Sequence, residues 1–144
     1  MRRLCGSAGM RRTPVRRGAP LRRAAGAVPV EVRRVLAVRS GGVCEIGLVS
    51  VCLGQARDVH HRVRRGAGGR HGAARAASDR LSNLLHVCRS CHEWVHANPA
   101  VSRGAGWLLG LGFGVPGLAV VSYRGVWRRL GDEGGVHVAD GAVA

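Results

Sequence analysis

Asp58-Val59-His60-His61-Arg62-Val63, then Asn83, then Cys88-Arg89-Ser90-Cys91-His92-Glu93-Trp94-Val95-His96 is the set on which the reading of this chain turns. His92 and His96 stand one helical turn apart, so on a helix their imidazoles project from one face and can converge on a single ion. Glu93, Trp94 and Val95 tolerate that helix. Asn98-Pro99 ends it, because proline disfavours helix at the residue before it. Val59-His60-His61-Arg62-Val63 has the composition of a strand. Neighbouring residues on a strand point to opposite faces, so His60 and His61 should not both ligate one ion. One ligand and one base is the natural division, since neutral imidazole serves both roles near physiological pH. The residues alone do not say which histidine takes which role.

Four cysteines bracket the histidines. Cys88-x2-Cys91 has zinc-knuckle spacing, and Cys44 and Cys52 upstream supply two further thiolates. The interval between Cys44 and Cys52 is wider than the usual knuckle, a length that Gly47 and Gly54 permit. Disulfides are the alternative, but no secretory signal is visible, and a reducing compartment disfavours them. Structural zinc is the expectation. A unit with few aromatics builds a small core, so metal binding would become part of its folding free energy. Cys5 is left over and reads as an ordinary thiol.

Taken together, His-His, Asn and His-x3-His on a strand pair and a helix resemble the HNH nuclease family and its ββα-metal fold. The likeness runs from about residue 39 to about residue 107. It implies that His60 is a metal ligand and His61 the general base that activates the attacking water. It makes Asn83 the holder of the loop that aims His61, and His92 and His96 the other ligands of a three-histidine site. That arrangement is similar to the colicin-type DNases, whereas many other members carry Asp where His60 stands. The implied activity is hydrolysis of DNA phosphodiester bonds to 5′-phosphate and 3′-hydroxyl ends. The implied cofactors are structural zinc at Cys44, Cys52, Cys88 and Cys91, and one divalent ion (Mg, Mn, Ni or Zn) at the histidines. Such an ion neutralises a non-bridging phosphate oxygen and the leaving oxygen. A positioned base typically contributes ~10²–10⁴-fold.

Composition agrees. The 144 residues leave room for one domain with flexible ends, and the net charge is +15, with every one of the 23 basic residues an arginine. Arginine pairs bidentately with phosphate and stays charged, so such a chain should hold a polyanion with salt-sensitive affinity. GC-rich coding also favours arginine over lysine, but it does not explain the scarcity of acids. DNA, gripped mainly through its phosphate backbone, is the expected partner. The expected place is the cytoplasm of a bacterial host or phage-infected cell. A phage packaging or DNA-processing partner stays open.

Outward from the motif, three units are expected: a disordered Arg-rich arm (1–28), a nuclease domain (29–107) and a C-terminal β-hairpin with a flexible tail (108–144). The arm holds eight arginines and no acid and could also be a transit peptide or an over-extended start. Val30 to Val38 suits a short helix stopped by Gly41-Gly42. Residues 64–79, rich in Gly, Ala and Arg, read as a long loop between the two strands of the nuclease hairpin. That loop would bring Arg62, Arg64, Arg65 and Arg70 to the DNA backbone, or would be plain solvated chain. His86 reads as a sheet-face residue, His71 and His137 as exposed, and Trp94 as a core anchor. Residues 104–123 carry no charge, yet Gly106, Gly110, Gly112, Gly114, Gly117 and Pro116 break any membrane helix there. Leu118-Ala119-Val120-Val121-Ser122-Tyr123 and Val126-Trp127 read instead as a hairpin turning at Arg124-Gly125, with a loose tail beyond Leu130.

The fold class expected is therefore α+β, a small ββα-metal unit with a structural zinc site. Two rival functions follow: a catalytic endonuclease, and a non-catalytic zinc module that binds nucleic acid. His61 discriminates, because a scaffold needs the ligands but has no use for a base. A basic nucleoprotein component similar to a small ribosomal protein is the third reading, and it would not require ordered histidines.

Overall fold

The computed structural model describes residues 27–65 and 72–139. The Arg-rich arm up to residue 26, Cys5, Arg70 and His71 lie outside the described residues. Helix α1 (Val30–Ser40) starts after Pro29, with Glu31 in its first turn and Arg39 in its last, both signs matching the helix dipole. Gly41 ends it at φ 62°, where its N–H and that of Gly42 reach back to the carbonyls of Val38 and Ala37. Left-handed backbone of this kind is the ordinary use of glycine after a helix. The expected short helix and its glycine stop are both present.

Strand β1 (Asp58–His61) pairs antiparallel with β2 (Leu84–Val87), setting His60 opposite Leu85 and His61 opposite Leu84. Between them the chain is not loop throughout, as the sequence suggested. Gly72–Ser78 forms helix α2, and a 3-10 turn (Leu81–Asn83) leads into β2. The alanines of Gly72-Ala73-Ala74-Arg75-Ala76-Ala77 explain this, since alanine has the best helix propensity and outweighs the absence of an apolar stripe. Helix α3 (Arg89–Ala97) follows β2 directly and is ended by Asn98, after which Pro99 opens the short helix α4 (Pro99–Gly104). Cys91 and Val95, one turn apart, are its buried residues.

The remaining chain builds a second antiparallel sheet in the order β3 (Val121–Tyr123), β4 (Val126–Leu130), β5 (Val136–Val138). The expected hairpin is present, with Arg124 and Gly125 both at positive φ in its turn. What read as a loose tail beyond Leu130 is instead a return of the chain, which pairs β5 with β4. Val121, Tyr123 and Leu130 of this sheet join Leu85, Val87, Val95 and Trp107 in one core with Cys44, Cys88 and Cys91. A smaller cluster of Val28, Leu36 and Leu84 seats α1 on the other face of the β1–β2 pair. Among the described residues no helix is long and apolar enough to cross a membrane.

Arg62 needs a correction. Expected on the DNA backbone, it is completely buried. Its guanidinium donates to five carbonyls: Nε to Gly106 (2.8 Å), Nη1 to Ser82 (3.1 Å) and Pro116 (3.2 Å), Nη2 to Ala119 (3.1 Å) and Val120 (3.0 Å). Every donor of the fork is used. Burial, with a smaller contribution from the Arg39 charge, pulls its pKa down to about 10, so it stays cationic at neutral pH. The uncharged segment 104–123 thus has a physical role. Its carbonyls solvate a buried cation and bind the second sheet to the end of β1.

Candidate functional site

Strand alternation puts His60 on the α3 side of β1 and His61 on the other side, as the sequence reading required. His92 and His96 come from one face of α3, a turn apart. The three rings of His60, His92 and His96 form a near-equilateral triangle, with centroids 5.0 to 5.3 Å apart. One ligand nitrogen from each lies within 4.8 Å of the other two.

The hydrogen bonds say which nitrogens are available. His60 Nε2 is 2.8 Å from the Trp107 carbonyl, which can only accept, so Nε2 carries the proton and Nδ1 the lone pair. That Nδ1 is buried and has no hydrogen-bond partner. A buried polar atom without a partner is costly, and a cation between the rings is what would relieve it. Burial, aided by the neighbouring histidines, pushes the His60 pKa down to about 3, so the ring is neutral at any ordinary pH. His92 Nδ1 donates to Asp58 Oδ2 at 3.1 Å, which leaves Nε2 as its ligand atom. A carboxylate behind a ligating histidine fixes ring orientation and raises its basicity. His96 is the exposed corner, with Arg64 Nη2 donating to its Nδ1 at a long 3.4 Å. Three imidazole donors with open positions suit a borderline ion such as Zn or Ni better than Ca.

His61 faces different company. Its Nε2 lies 2.9 Å from Asp79 Oδ1, and Arg65 Nη2 lies 2.6 Å from the same oxygen. Burial lowers the His61 pKa against the opposing pull of Asp79. Burial would raise the Asp79 carboxyl, but the bonds from His61 and Arg65 more than offset it and hold it low. The pair is therefore a neutral imidazole beside a carboxylate. Asn83, buried, accepts from the Val63 N–H (2.7 Å) and donates to the Ser78 carbonyl (2.8 Å). It clasps the chain just after His61 to the chain just before Asp79.

The four histidines line one cleft of about 680 Å³. His60, His61, His92 and His96 form its floor with Val59 and Leu108, and Arg64, Arg65 and Arg103 stand around it. Of the expected DNA contacts, Arg64 and Arg65 are at the cleft, Arg62 is in the core, and Arg70 lies outside the described residues.

The four cysteines also converge. Cys44, Cys52, Cys88 and Cys91 are all reduced, and their sulfurs lie within 4.8 Å of one another. Gly47 (φ 66°) and Gly54 (φ 83°) take the left-handed turns that the wide Cys44–Cys52 interval needs, and Ser50 (φ 64°) a third. The N–H groups of Gly54 and Leu53 point at the sulfurs of Cys52 and Cys88 (3.3 and 3.5 Å). Burial raises the Cys88 thiol, but bonds from Ser90, Cys91 and Leu53 outweigh it and carry the pKa down to about 6. Cys44 and Cys91 are raised, chiefly by burial. A ready thiolate at Cys88 beside three further cysteine sulfurs is a donor set that a divalent ion could complete by displacing thiol protons.

Comparison with protein-family models, with curated proteins and with solved structures found no match. The sequence reading missed Asp58, Asp79, Arg103 and the Trp107 carbonyl. Asp58 was legible, because it lies two residues before His60 on the same strand face. Asp79 had a weaker signal as the single acid between Asp58 and Glu93. Nothing in the sequence singled out Arg103 or a backbone carbonyl.

Proposed function

We propose that this protein is a metal-dependent DNA endonuclease of the HNH type, with a structural zinc at its four cysteines. The observation that carries the reading is the orphaned, buried His60 Nδ1 facing His92 and His96, in a cleft that also holds His61 and three arginines. A structural core has no use for that combination. An ion held by His60, His92 and His96 would supply Lewis-acid stabilisation of the scissile phosphate and its leaving oxygen.

The chain's own residues do the rest. Arg64, Arg65 and Arg103 attract the backbone without reading bases. His61, neutral at working pH, accepts the proton of the attacking water as its oxygen bonds to phosphorus. The phosphorus–oxygen bond opposite breaks, and the departing oxygen takes a proton from solvent, giving 5′-phosphate and 3′-hydroxyl ends. Asn83 keeps the loop after β1 from drifting.

A plasmid-nicking assay with EDTA and a panel of divalent ions tests this. His61→Ala should keep fold, zinc and DNA affinity while cleavage falls ~10²-fold or more, the loss expected on removing a general base. His92→Ala should instead weaken the exchangeable ion and recover in part with excess metal. Equal cleavage by wild type and His61→Ala would remove His61 from the mechanism. No cleavage with any metal would favour the non-catalytic DNA-binding module.

A further inference from the structure

Asp79 sits where helix physics does not want it. It follows the last residue of α2 (Gly72–Ser78), with its N–H bonded to the carbonyls of Arg75 and Ala76. A carboxylate at a helix C-terminus opposes the helix dipole. Its contact with Arg75, 3.7 Å at i,i+4, has the acid on the less favourable, C-terminal side. It is also almost fully buried. The helix itself therefore does not account for an acid here, whereas the contacts with Arg65 and His61 do.

We infer that Asp79 is the positioning residue of the site, holding His61 in the one tautomer that leaves Nδ1 as the base. This rests on the reading of His61 as general base. The argument is one of donors and acceptors. A carboxylate only accepts, so the 2.9 Å contact requires the proton on His61 Nε2 and the lone pair on Nδ1. Arg65 competes, because its Nε–H stands 3.0 Å from the same Nε2 and would favour the opposite tautomer. Its Nη2 simultaneously bonds Asp79 Oδ1 at 2.6 Å. With Asp79 charged, the N–H to carboxylate bond wins. With that charge removed, Arg65 is left to draw the lone pair to Nε2, and the proton moves to Nδ1.

Asn83 supports this arrangement from the backbone. Its two bonds, to Val63 N and Ser78 O, join the residues flanking His61 and Asp79. Asp79 also stabilises the imidazolium that forms when His61 takes the proton of water. Asp79 keeps its own charge throughout, and no proton passes to it.

The test uses Asp79→Asn, which keeps the side-chain volume, beside Asp79→Ala. ¹⁵N-resolved NMR of the full chain, with no divalent ion at the histidines, reads the His61 ring. Wild type should show the proton on Nε2, and Asp79→Asn should move it largely to Nδ1. Single-turnover nicking of supercoiled plasmid should fall ~10²-fold in Asp79→Asn with DNA affinity unchanged. In a His61→Ala background the same substitution should cost nothing further, because residues acting through one group are non-additive. An unchanged His61 tautomer in Asp79→Asn overturns the inference, as does an equal loss in both backgrounds. If wild type cuts no plasmid, the nuclease reading fails on its own, and the NMR result still decides what Asp79 does to His61.

Discussion

Replacing Arg62 with methionine removes five hydrogen bonds at one stroke while keeping most of the side-chain volume. At about 1.5–3 kcal/mol for each bond to a charged group, simple addition would match the whole stability of a small domain. That sum is too large, because removing the cation also removes the cost of its burial, several kcal/mol. What remains is the set of carbonyls left behind. That of Pro116 keeps its bond from the Ala119 N–H, and Ala119 and Val120 lie on partly exposed chain before β3. The carbonyl of Gly106 has no such outlet, since the backbone there is packed so tightly that a Cβ on Gly106 would meet Val120 O at 2.1 Å. Ser82 is buried in the turn before β2. Two stranded carbonyls at about 1–3 kcal/mol each give a loss near ~4 kcal/mol.

Urea unfolding of the metal-loaded protein measures this, with the salt dependence of DNA binding as the companion assay. Arg62→Met should lose stability by that amount and keep the wild-type salt slope while folded. A variant within about 0.5 kcal/mol of wild type, as for an ordinary surface substitution, would refute the clamp. A salt slope lowered by about 1 would return Arg62 to the phosphate backbone.

Cys88→Ser should release one tightly held zinc by elemental analysis and weaken the histidine site as well, whereas His92→Ala should leave that zinc in place; full zinc retention in a normally folded Cys88→Ser protein would end the four-cysteine assignment. Asp58→Asn should weaken the exchangeable ion by ~10–100-fold in a titration, the usual cost of losing a carboxylate behind a histidine ligand, and an unchanged affinity would deny Asp58 that role. Arg64→Ala should lower the salt slope of DNA binding by about 1 across unrelated sequences; a loss confined to one sequence would make it a base contact instead.

How far the sequence carried this reading depended on the range of the interactions involved. His92 and His96 were legible because one helical turn fixes their relation, and the opposite faces of His60 and His61 because a strand alternates. The convergence of Cys44 and Cys52 on Cys88 and Cys91 was legible as an expectation from spacing, with Gly47 and Gly54 marking the turns. Arg62 was misread because sequence shows its charge but not its depth. Five carbonyls from residues 82–120 decide that depth, and backbone carbonyls have no sequence signature. Helix α2 was missed because a run of alanines carries propensity without periodicity. Strand β5 was missed because Asp132-Glu133-Gly134-Gly135 marks a turn whichever way the chain goes afterwards, and three residues are too few to show alternation.

The expected dependence of the histidine site on the cysteines follows from their sharing one helix. Cys91 and His92 are consecutive on α3, so the side held by the four-cysteine cluster sits a quarter-turn or so from the side that offers two imidazoles. Any rotation or slide of α3 moves His92 and His96 together and leaves His60 behind, because His60 is tied to Trp107 O and to β2 rather than to the helix. The core around α3 limits that movement through Val95 and Trp107, but Cys88 and Cys91 are themselves members of it. Removing an ion there would free the N-terminal end of the helix within a core that has few large side chains to substitute. The reverse path exists too: His96 is exposed and His92 half-buried, but an empty histidine site leaves the buried His60 Nδ1 without a partner. Coupling of this kind is reciprocal in free energy, so an ion at either site would strengthen the other by the same factor, and a tightly held ion at the cysteines would stay bound where the weaker histidine site shows the loss.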